Sequence, residues 1–530
     1  NRDINYVLQT GGLMVVMALL SLLFGVLSSR FAATASMGLG SELRRALFNK
    51  VQDFSFANLD KFSTASLITR LTTDVNNTQG AFMMTIRILV RAPIMLVSAT
   101  FMAYSINQTL VDVFLVAIPA LGLALGLIAM VALPRFGAML KKYDAINASV
   151  QENLIAIRVV KAFVRSQYEK LKFKKANDDL MQAAIRAEKT VICNLPFMQL
   201  TMYACIIAIL WFGGHMVVAG SMLTGQLIGF ISYVTQIMIS LMLISMVFVT
   251  LVLSRASVSR IFEVIDEQVD IKDGQGKREL KMADGSIIFE NVSFRYNPKA
   301  EIDTLQHINL SIKSGQTIGI IGGTGSAKTT LVQLIPRLYD ATEGKVIVGG
   351  SVVQDYKLQE LRNAVAMVLQ KNMLFSGTIK ENLKWGNTEA TDEEIVAACK
   401  VAQAHDFITS FPDGYSTILG QGGVNVSGGQ KQRLCIAMAL LKQPKILILD
   451  DSTSAVDTAT EARIREGIRA FSKDITVIII AQRITSVCDA EQIIVLDEGK
   501  VNSIGTHAEL LQNDKIYQEV YNSQQKGVSE

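Results

Sequence analysis

The sequence predicts an α-helical polytopic membrane domain followed by an α/β domain that contains a phosphate-binding loop. Long uncharged stretches fill the first half of the chain, β-branched strands alternate with helical segments in the second, and a glycine-rich loop follows one of these strands. Hydrophobic residues make up 50% of the 530 residues, and the mean hydropathy is +0.33. These values are too high for an ordinary soluble enzyme of this length.

Changes in composition divide the chain into three parts. Residues 1–265 form the predicted transmembrane domain, residues 266–284 a linker rich in acidic residues and glycine, and residues 285–530 the α/β domain. The net charge of +4 is mild and gives no indication of a nucleic-acid partner. The five cysteines have no metal-like spacing, and their odd number argues against a disulfide framework.

Five membrane spans are predicted from uncharged stretches. Residues 6–29 contain no charged side chain, and at about 1.5 Å per residue a helix of this length exceeds the roughly 30 Å hydrocarbon core. Similar stretches cover residues 92–111, 113–134 and 191–254, of which the last is long enough for two spans. The segments 36–90 and 135–189, rich in Lys and Arg, are expected on the cytoplasmic side.

The parity of these spans raises a question about the start of the chain. With the α/β domain in the cytoplasm, five crossings place Asn1 outside the cell, and the sequence does not begin with methionine. We expect that a first transmembrane helix precedes this sequence, which would bring both ends to the cytoplasm. A cleaved signal peptide is the alternative.

The run IGIIGGTGSAKTT, residues 318–330, has the strand, glycine-rich turn and helix start of a phosphate-binding loop. Its backbone N–H groups would surround a polyphosphate, Lys328 would contact the β- and γ-phosphates, and Thr329 would hold Mg²⁺. Ala327 stands where glycine is usual, and its methyl group is tolerable if φ is negative. The competing interpretation of this run alone is a glycine-rich turn with an unrelated lysine.

Two further motifs follow. KILILDD, residues 445–451, is an apolar strand that ends in two acids, and Asp450 is well placed to organise Mg²⁺ opposite Thr329. NVSGGQKQR, residues 425–433, opens a helix whose N-terminus could bind a terminal phosphate. Each motif alone is moderately specific, but their order and spacing after a phosphate-binding loop are very specific.

Over nearly its whole length the sequence resembles the exporter branch of the ATP-binding cassette (ABC) family. The resemblance implies six transmembrane helices, of which five are present here, followed by an α/β P-loop NTPase domain with ATP and Mg²⁺ as cofactors. Segments around Asn58 and Val160 resemble the two coupling helices of the family, and the pattern of residues 54–75 predicts a break in the helix near Asn58 and Asp60. The ATP-binding residues it implies are Tyr296, which stacks on adenine, and the Walker A residues Gly322, Gly323, Thr324, Gly325, Ser326, Ala327, Lys328, Thr329 and Thr330.

The remaining site residues are carried over from the same resemblance. Thr329, Gln370 of the Q-loop and Asp450 of Walker B are the implied metal residues, and Asp457 belongs to the D-loop. The signature motif, which acts on the ATP of a partner, corresponds to Val426, Ser427, Gly428, Gly429 and Gln430, with valine where leucine is usual.

Two departures from the family pattern affect hydrolysis. Asp451 replaces the glutamate that polarises the attacking water, and its side chain is shorter by roughly 1.5 Å. Gln482 replaces the switch histidine, and a neutral amide supplies neither positive charge nor a proton shuttle. Because Lys328, Thr329 and Asp450 are retained, the pattern resembles the degenerate subunit of a heterodimeric multidrug exporter, which binds ATP and completes the site of its partner.

The resemblance therefore predicts an ATP-hydrolysing translocase of the plasma membrane that pairs with a second half-transporter and exports hydrophobic compounds. A hydrophobic drug, neutral or cationic, is the favoured substrate, with lipid or peptide export as alternatives. Most of the 21 methionines lie in the membrane part, where they could adapt to varied apolar ligands. A working homodimer with natural variation at these positions, or a subunit that ATP gates like a channel, are the competing functions.

Overall fold

The computed structural model describes residues 4–272, 280–297, 300–452, 455–471 and 474–526. The chain forms two compact units, which we describe separately. The first contains Asn1–Gln52 and Ser63–Glu267, and the second contains Asp53–Phe62 and Gln268–Glu530. The predicted linker at 266–284 lies in part on residues 273–279, which are outside the described residues.

The chain up to residue 265 is helical. Its helices are α1 (Ile4–Gln52), α2 (Phe56–Lys61), α3 (Thr64–Ile106), α4 (Gln108–Ile155), α5 (Ile157–Ala162), α6 (Ser166–Val218) and α7 (Thr224–Ile265). Within the described residues, five of them (α1, α3, α4, α6 and α7) are long and apolar enough to cross a membrane, which confirms the five predicted spans. Even α7, with 42 residues, would extend to about 63 Å and so exceed the hydrocarbon core.

The short helix α2 corrects one detail of the sequence prediction. We expected the helical pattern to break near Asn58 and Asp60, but both residues lie inside α2, and the breaks fall on either side of it. The reason is a capping box, in which the Ser55 hydroxyl accepts from the backbone N–H of Asn58 at 3.2 Å and the Asn58 side chain accepts from the N–H of Ser55 at 3.3 Å. The polar residue therefore starts a helix here and does not end one.

The second unit is built on β-sheets. Its strands are β1 (Ile287–Phe294), β2 (Leu305–Ile312), β3 (Thr317–Gly322), β4 (Glu343–Val348), β5 (Ser351–Val352), β6 (Val365–Val368), β7 (Gly377–Thr378), β8 (Ile418–Leu419), β9 (Ile446–Asp450), β10 (Thr476–Ile480), β11 (Gln492–Asp497) and β12 (Lys500–Gly505). The helices are α8 (Lys328–Gln333), α9 (Leu358–Ala364), α10 (Ile379–Leu383), α11 (Asp392–Val401), α12 (His405–Thr409), α13 (Gly428–Leu441), α14 (Thr458–Phe471), α15 (His507–Asn513) and α16 (Lys515–Lys526).

The main sheet of this unit positions the candidate site. Among the described residues it has six strands in the order β12-β11-β3-β10-β9-β6, and all neighbours are parallel except β11 and β12. Both faces of β9 are buried, because Leu447 and Leu449 pack in one hydrophobic core while Ile446 and Ile448 pack in the other. Because β3, β10, β9 and β6 are parallel, their carboxyl ends lie along one edge of the sheet. Ligands bind at this edge in open α/β sheets.

Helix α2 is part of the second unit, although α1 and α3 belong to the first. The Asn58 amide donates to the carbonyl oxygen of Gln268 at 3.0 Å, and the Tyr339 hydroxyl donates to the Asp60 carboxylate at 2.6 Å. The ring of Phe56 meets the ring of Tyr339 edge to face at 6.0 Å. This segment, the first of the two predicted coupling segments, therefore contributes side chains to the packing of the second unit.

An ion pair between the buried Asp74 carboxylate and the half-exposed Arg260 guanidinium joins α3 and α7 in the first unit. The side chain of Asp74 is 0% exposed and accepts two hydrogen bonds from the Arg260 guanidinium, at 2.8 Å from Nε and 2.5 Å from Nη2. Without this partner, the carboxylate would be left charged inside the protein, which is strongly unfavourable.

We expect Arg260→Met to destabilise the first unit by about 3–5 kcal/mol, because it leaves the buried Asp74 carboxylate without its counter-ion. The midpoint of thermal unfolding of the purified chain in detergent measures this effect. Arg255→Met, at an exposed position of the same helix, is the matched control and should change the midpoint little. Equal shifts from both variants would contradict the role of the pair.

Candidate nucleotide site

The predicted phosphate-binding loop connects β3 to α8 at the edge of the sheet. Gly322 is required there, because a Cβ atom at this position would lie 2.2 Å from the carbonyl oxygen of Leu496. The Lys328 ammonium donates to the carbonyl oxygens of Gly322 and Gly323 at 2.9 and 2.8 Å. Burial lowers the pKa of Lys328, and the neighbouring Asp450 and Asp451 act in the opposite direction. The ammonium therefore lies against the loop that would surround a polyphosphate.

Ala327 departs from the sequence expectation. Its methyl group is tolerable if φ is negative, but the observed φ is +68°, in the left-handed region, so that condition is not met. The loop needs this conformation to turn from its glycine-rich part into the first residue of α8. Glycine adopts it freely, whereas a residue with a Cβ pays about 1–2 kcal/mol. The unusual alanine is therefore a source of local backbone strain.

Thr329 and Asp450 form the best candidate for a Mg²⁺ site. The Thr329 hydroxyl donates to one carboxylate oxygen of Asp450 at 3.0 Å, and Asp450 is only 1% exposed. Its other carboxylate oxygen, Oδ2, is buried without a hydrogen-bond partner among the described residues. Burial raises the pKa of Asp450, and the hydrogen bond from Thr329 lowers it. A hydroxyl beside a carboxylate with one open oxygen fits a hard cation.

The rest of a Mg²⁺ coordination shell would come from outside the protein. No group of three or more His, Cys, Asp or Glu that could hold a metal occurs in the described part of the chain. Mg²⁺ commonly takes one or two protein ligands and completes its octahedron with phosphate oxygens and water. The pair Thr329 and Asp450 fits that arrangement.

The two residues that depart from the family pattern contact each other. Asp451 follows β9, has a φ of +48°, and accepts a hydrogen bond from the Gln482 side-chain amide at 2.9 Å. Burial raises the pKa of Asp451, while hydrogen bonds from Gln370 and Gln482 lower it. Residues from the ends of β6, β9 and β10 thus meet at one carboxylate, as the sheet topology requires.

Tyr296 lies beside the phosphate-binding loop. Its hydroxyl is 3.0 Å from the Thr330 hydroxyl, and 48% of the residue is exposed. Its ring meets Phe294 edge to face at 4.8 Å and Tyr339 at 5.2 Å. Sequence reasoning missed Tyr339, which lies between Tyr296 and Asp60, although its place shortly after α8 in the run RLYD could have drawn attention to it.

The signature residues begin helix α13. Ser427 is the N-cap residue of this helix and forms a capping box with Gln430. The buried Val426 packs in the hydrophobic core. A Cβ atom on Gly429 would lie 2.7 Å from the carbonyl oxygen of Ala455, so only glycine fits there. No hydrogen bond or ion pair joins residues 426–430 to residues 322–330 anywhere in the described ranges. Within one chain, the two motifs therefore remain separate.

Asp457 of the predicted D-loop caps helix α14. Its carboxylate accepts from the backbone N–H of Thr460 at 2.9 Å, and this bond holds the pKa of Asp457 below its usual value. Thr453 and Ser454 of the same loop lie outside the described residues. The signature helix reaches the loop through Gln432, which accepts from the N–H of Ala455 at 3.1 Å.

Comparison with known proteins agrees with this geometry. The family described as the ABC transporter transmembrane region matches residues 2–242, and the ABC transporter family matches residues 305–454. An uncharacterized ABC transporter ATP-binding protein of Bacillus subtilis, YfiB, is 40% identical over 99% of this chain and 90% of its own length. The ATP-dependent lipid A-core flippase of Syntrophus aciditrophicus is 31% identical over 92% of this chain and 80% of its own.

Two further relatives extend the comparison. A putative multidrug export ATP-binding/permease protein of Staphylococcus aureus is 34% identical over 91% of this chain and 83% of its own length. The structure of a bacterial Atm1-family ABC exporter with ATP bound superposes with a TM-score of 0.81 at 26% identity, covering 96% of this chain and 88% of that one. The chain therefore belongs to the ABC transporter family. It is a multi-pass membrane exporter whose α/β nucleotide-binding domain is cytoplasmic.

We expect Ala327→Gly to stabilise the nucleotide-binding domain by about 0.5–1 kcal/mol, because glycine relieves the left-handed strain but gains entropy in the unfolded chain. Thermal unfolding measures the change. Ala364→Gly, at the end of helix α9, should have the opposite sign because it only adds flexibility. Destabilisation by both variants would contradict the assigned strain.

A second prediction concerns pH. Because burial raises the pKa of Asp450, this carboxylate should take up a proton at a higher pH than an ordinary aspartate, and its affinity for Mg²⁺ should fall as the solution becomes mildly acidic. Titration of the chain with a fluorescent ATP analogue, with and without Mg²⁺, measures this dependence. Asp450→Asn should bind more weakly and lose that part of the pH dependence, whereas Asp457→Asn should keep it. An equally steep profile in Asp450→Asn would exclude the assignment.

Proposed function

We propose that this chain is one subunit of a heterodimeric ABC exporter. It binds ATP and Mg²⁺ through Lys328, Thr329 and Asp450 but hydrolyses this ATP slowly. Its signature motif, which begins with Val426 and Ser427, completes the competent site built on a different half-transporter. ATP binding then closes the nucleotide-binding domains, and the membrane helices change from inward-facing to outward-facing.

The observation that carries the proposal is the hydrogen bond between Asp451 and Gln482. A carboxylate that activates water needs an oxygen free to accept the proton of that water, and it needs the reach to do so. Asp451 is one methylene shorter than glutamate, and one of its oxygens already accepts from the amide of Gln482 at 2.9 Å. Neither residue supplies positive charge for the transferred phosphoryl group. Hydrolysis of ATP is therefore weakened, while the residues that bind ATP and Mg²⁺ are retained.

The geometry of the signature motif supports the proposal that this chain completes the competent site of its partner. Ser427 caps α13 through its hydroxyl, and the close approach of Ala455 fits only glycine at position 429. The substitution of valine for leucine at position 426 is absorbed by the hydrophobic core, where Val426 is 8% exposed. The start of α13 therefore keeps the shape and polarity that a partner's terminal phosphate requires.

The membrane unit bears on the class of substrate. A cavity of about 910 Å³ lies between α1 and α3 and is lined mainly by apolar side chains, including Phe24 and Met95. Arg87 and Arg91 also line it, and none of its described lining residues is acidic. Two guanidinium groups attract an anionic headgroup and repel a cation. Among hydrophobic substrates, this cavity favours a lipid-like amphiphile over a cationic drug.

The two candidate sites predict unequal effects of mutation. We expect Asp451→Ala to leave most transport intact, because the site it belongs to contributes little hydrolysis. Ser427→Ala should lower transport by about 10²- to 10³-fold, because it removes a contact to the transition state in the partner's site. ATP-dependent accumulation of a labelled hydrophobic substrate in inverted membrane vesicles, made from cells that contain both half-transporters, measures both effects.

The controls separate the alternatives. Thermal unfolding of Ser427→Ala tests whether the variant still folds, since the loss of an N-cap costs about 1 kcal/mol. The double variant Asp451→Glu/Gln482→His should raise hydrolysis by restoring the missing chemistry. Equal losses from the two single variants, or brisk hydrolysis and transport by this chain paired only with itself, would favour a homodimer. ATP-dependent flux without accumulation against a gradient would indicate a channel-like subunit.

A further inference from the structure

The loop that carries Gln482 is held by the C-terminal helix of the chain. The side chain of Gln524, on α16, donates from Nε2 to the carbonyl oxygen of Gln482 at 2.7 Å. Its Oε1 accepts from the backbone N–H of Ile484 at 2.9 Å. A single amide group therefore satisfies one acceptor and one donor of the same loop, which limits how far the loop can move.

Helix α16 is a firm support for this contact. Tyr517 is 0% exposed, its hydroxyl is 2.7 Å from Nδ1 of His507, and its backbone N–H donates to Asp514 at 2.7 Å. Val520 and Tyr521, on the following turn, pack against the larger hydrophobic core. Gln524 therefore extends from a helix that is already fixed, as precise positioning of a functional side chain requires.

We propose that Gln524 is a positioning residue for the nucleotide site. Through the backbone of Gln482 it sets the direction of the Gln482 side chain, which donates to Asp451. A neutral amide suits this position, because it supplies one donor and one acceptor at the same time. The inference deepens the proposed function, since Gln482 acts at the chain's own ATP site. It assigns the C-terminal helix a part in that site although 42 residues separate Gln524 from Gln482.

Hydrogen exchange tests the contact without reference to hydrolysis. In the purified full chain, Gln524→Ala should increase the exchange rate of the Ile484 amide by about tenfold, because this amide loses its acceptor. Asn522→Ala, at an exposed position of the same helix, is the control and should leave the rate unchanged. An unchanged rate at Ile484 in Gln524→Ala would overturn the proposal.

A double-mutant cycle tests the effect on the site. We expect Gln524→Ala to change the single-turnover rate of ATP hydrolysis by about tenfold and the ATP dissociation constant by less than twofold. In the Gln482→Ala background, the same substitution should have no further effect, because it acts through that side chain. Additive effects would overturn the proposal. If the unmodified chain hydrolyses ATP briskly, the slow-site proposal fails, but the cycle still decides the role of Gln524.

A second variant covers the case in which Gln524→Ala disturbs α16. Gln524→Glu keeps an acceptor for the N–H of Ile484 but cannot donate to the carbonyl oxygen of Gln482. It should therefore leave the exchange of the Ile484 amide slow and still change the hydrolysis rate. Wild-type hydrolysis in Gln524→Glu would show that the bond to Gln482 does not position the side chain, and would overturn the proposal.

Discussion

The nucleotide site depends on one constraint, which is that four parallel strands of a doubly buried sheet end at the same edge. β3 leads into the phosphate-binding loop, β9 ends in Asp450, β10 is followed by Gln482, and β6 is followed by Gln370. None of these residues is close to the others in sequence. The strands are held in register by backbone pairing and by two cores of isoleucine, leucine and valine, so the positions of the polar residues follow from apolar packing.

This arrangement brings polar side chains together at the edge of the sheet, where they form hydrogen-bonded pairs. Thr329 bonds to Asp450, and Gln482 bonds to Asp451. In the first pair, one carboxylate oxygen of Asp450 is buried without a hydrogen-bond partner among the described residues, whereas Asp451 in the second pair accepts hydrogen bonds from both Gln370 and Gln482. Under the proposed function, this contrast would let the site keep its affinity for Mg²⁺ and nucleotide while ATP hydrolysis weakens. In that proposal, binding depends on Asp450 and hydrolysis on Asp451, and only Asp451 departs from the family pattern.

Much of this could be predicted from the sequence, because the informative patterns are local. The length of an uncharged stretch indicates whether it can span a membrane. A glycine-rich loop between an apolar strand and a helix has few structural explanations other than a phosphate-binding loop. The positive φ of Ala327 could not be predicted, since alanine itself disfavours that conformation and only the surrounding fold imposes it. The contact of Gln524 with Gln482 was equally inaccessible, because a glutamine on an amphipathic terminal helix has no distinctive pattern.

The assignment of helix α2 to the second unit affects how such a protein can be divided into fragments. Residues 53–62 fold with the nucleotide-binding domain, but the chain enters and leaves them through helices of the membrane domain. No single cut therefore separates the two units. A recombinant fragment that starts after the last membrane helix lacks the aromatic ring of Phe56 and the carboxylate that accepts from Tyr339. Chimaeras between related exporters should accordingly exchange this short segment together with the cytoplasmic domain, as a matched set.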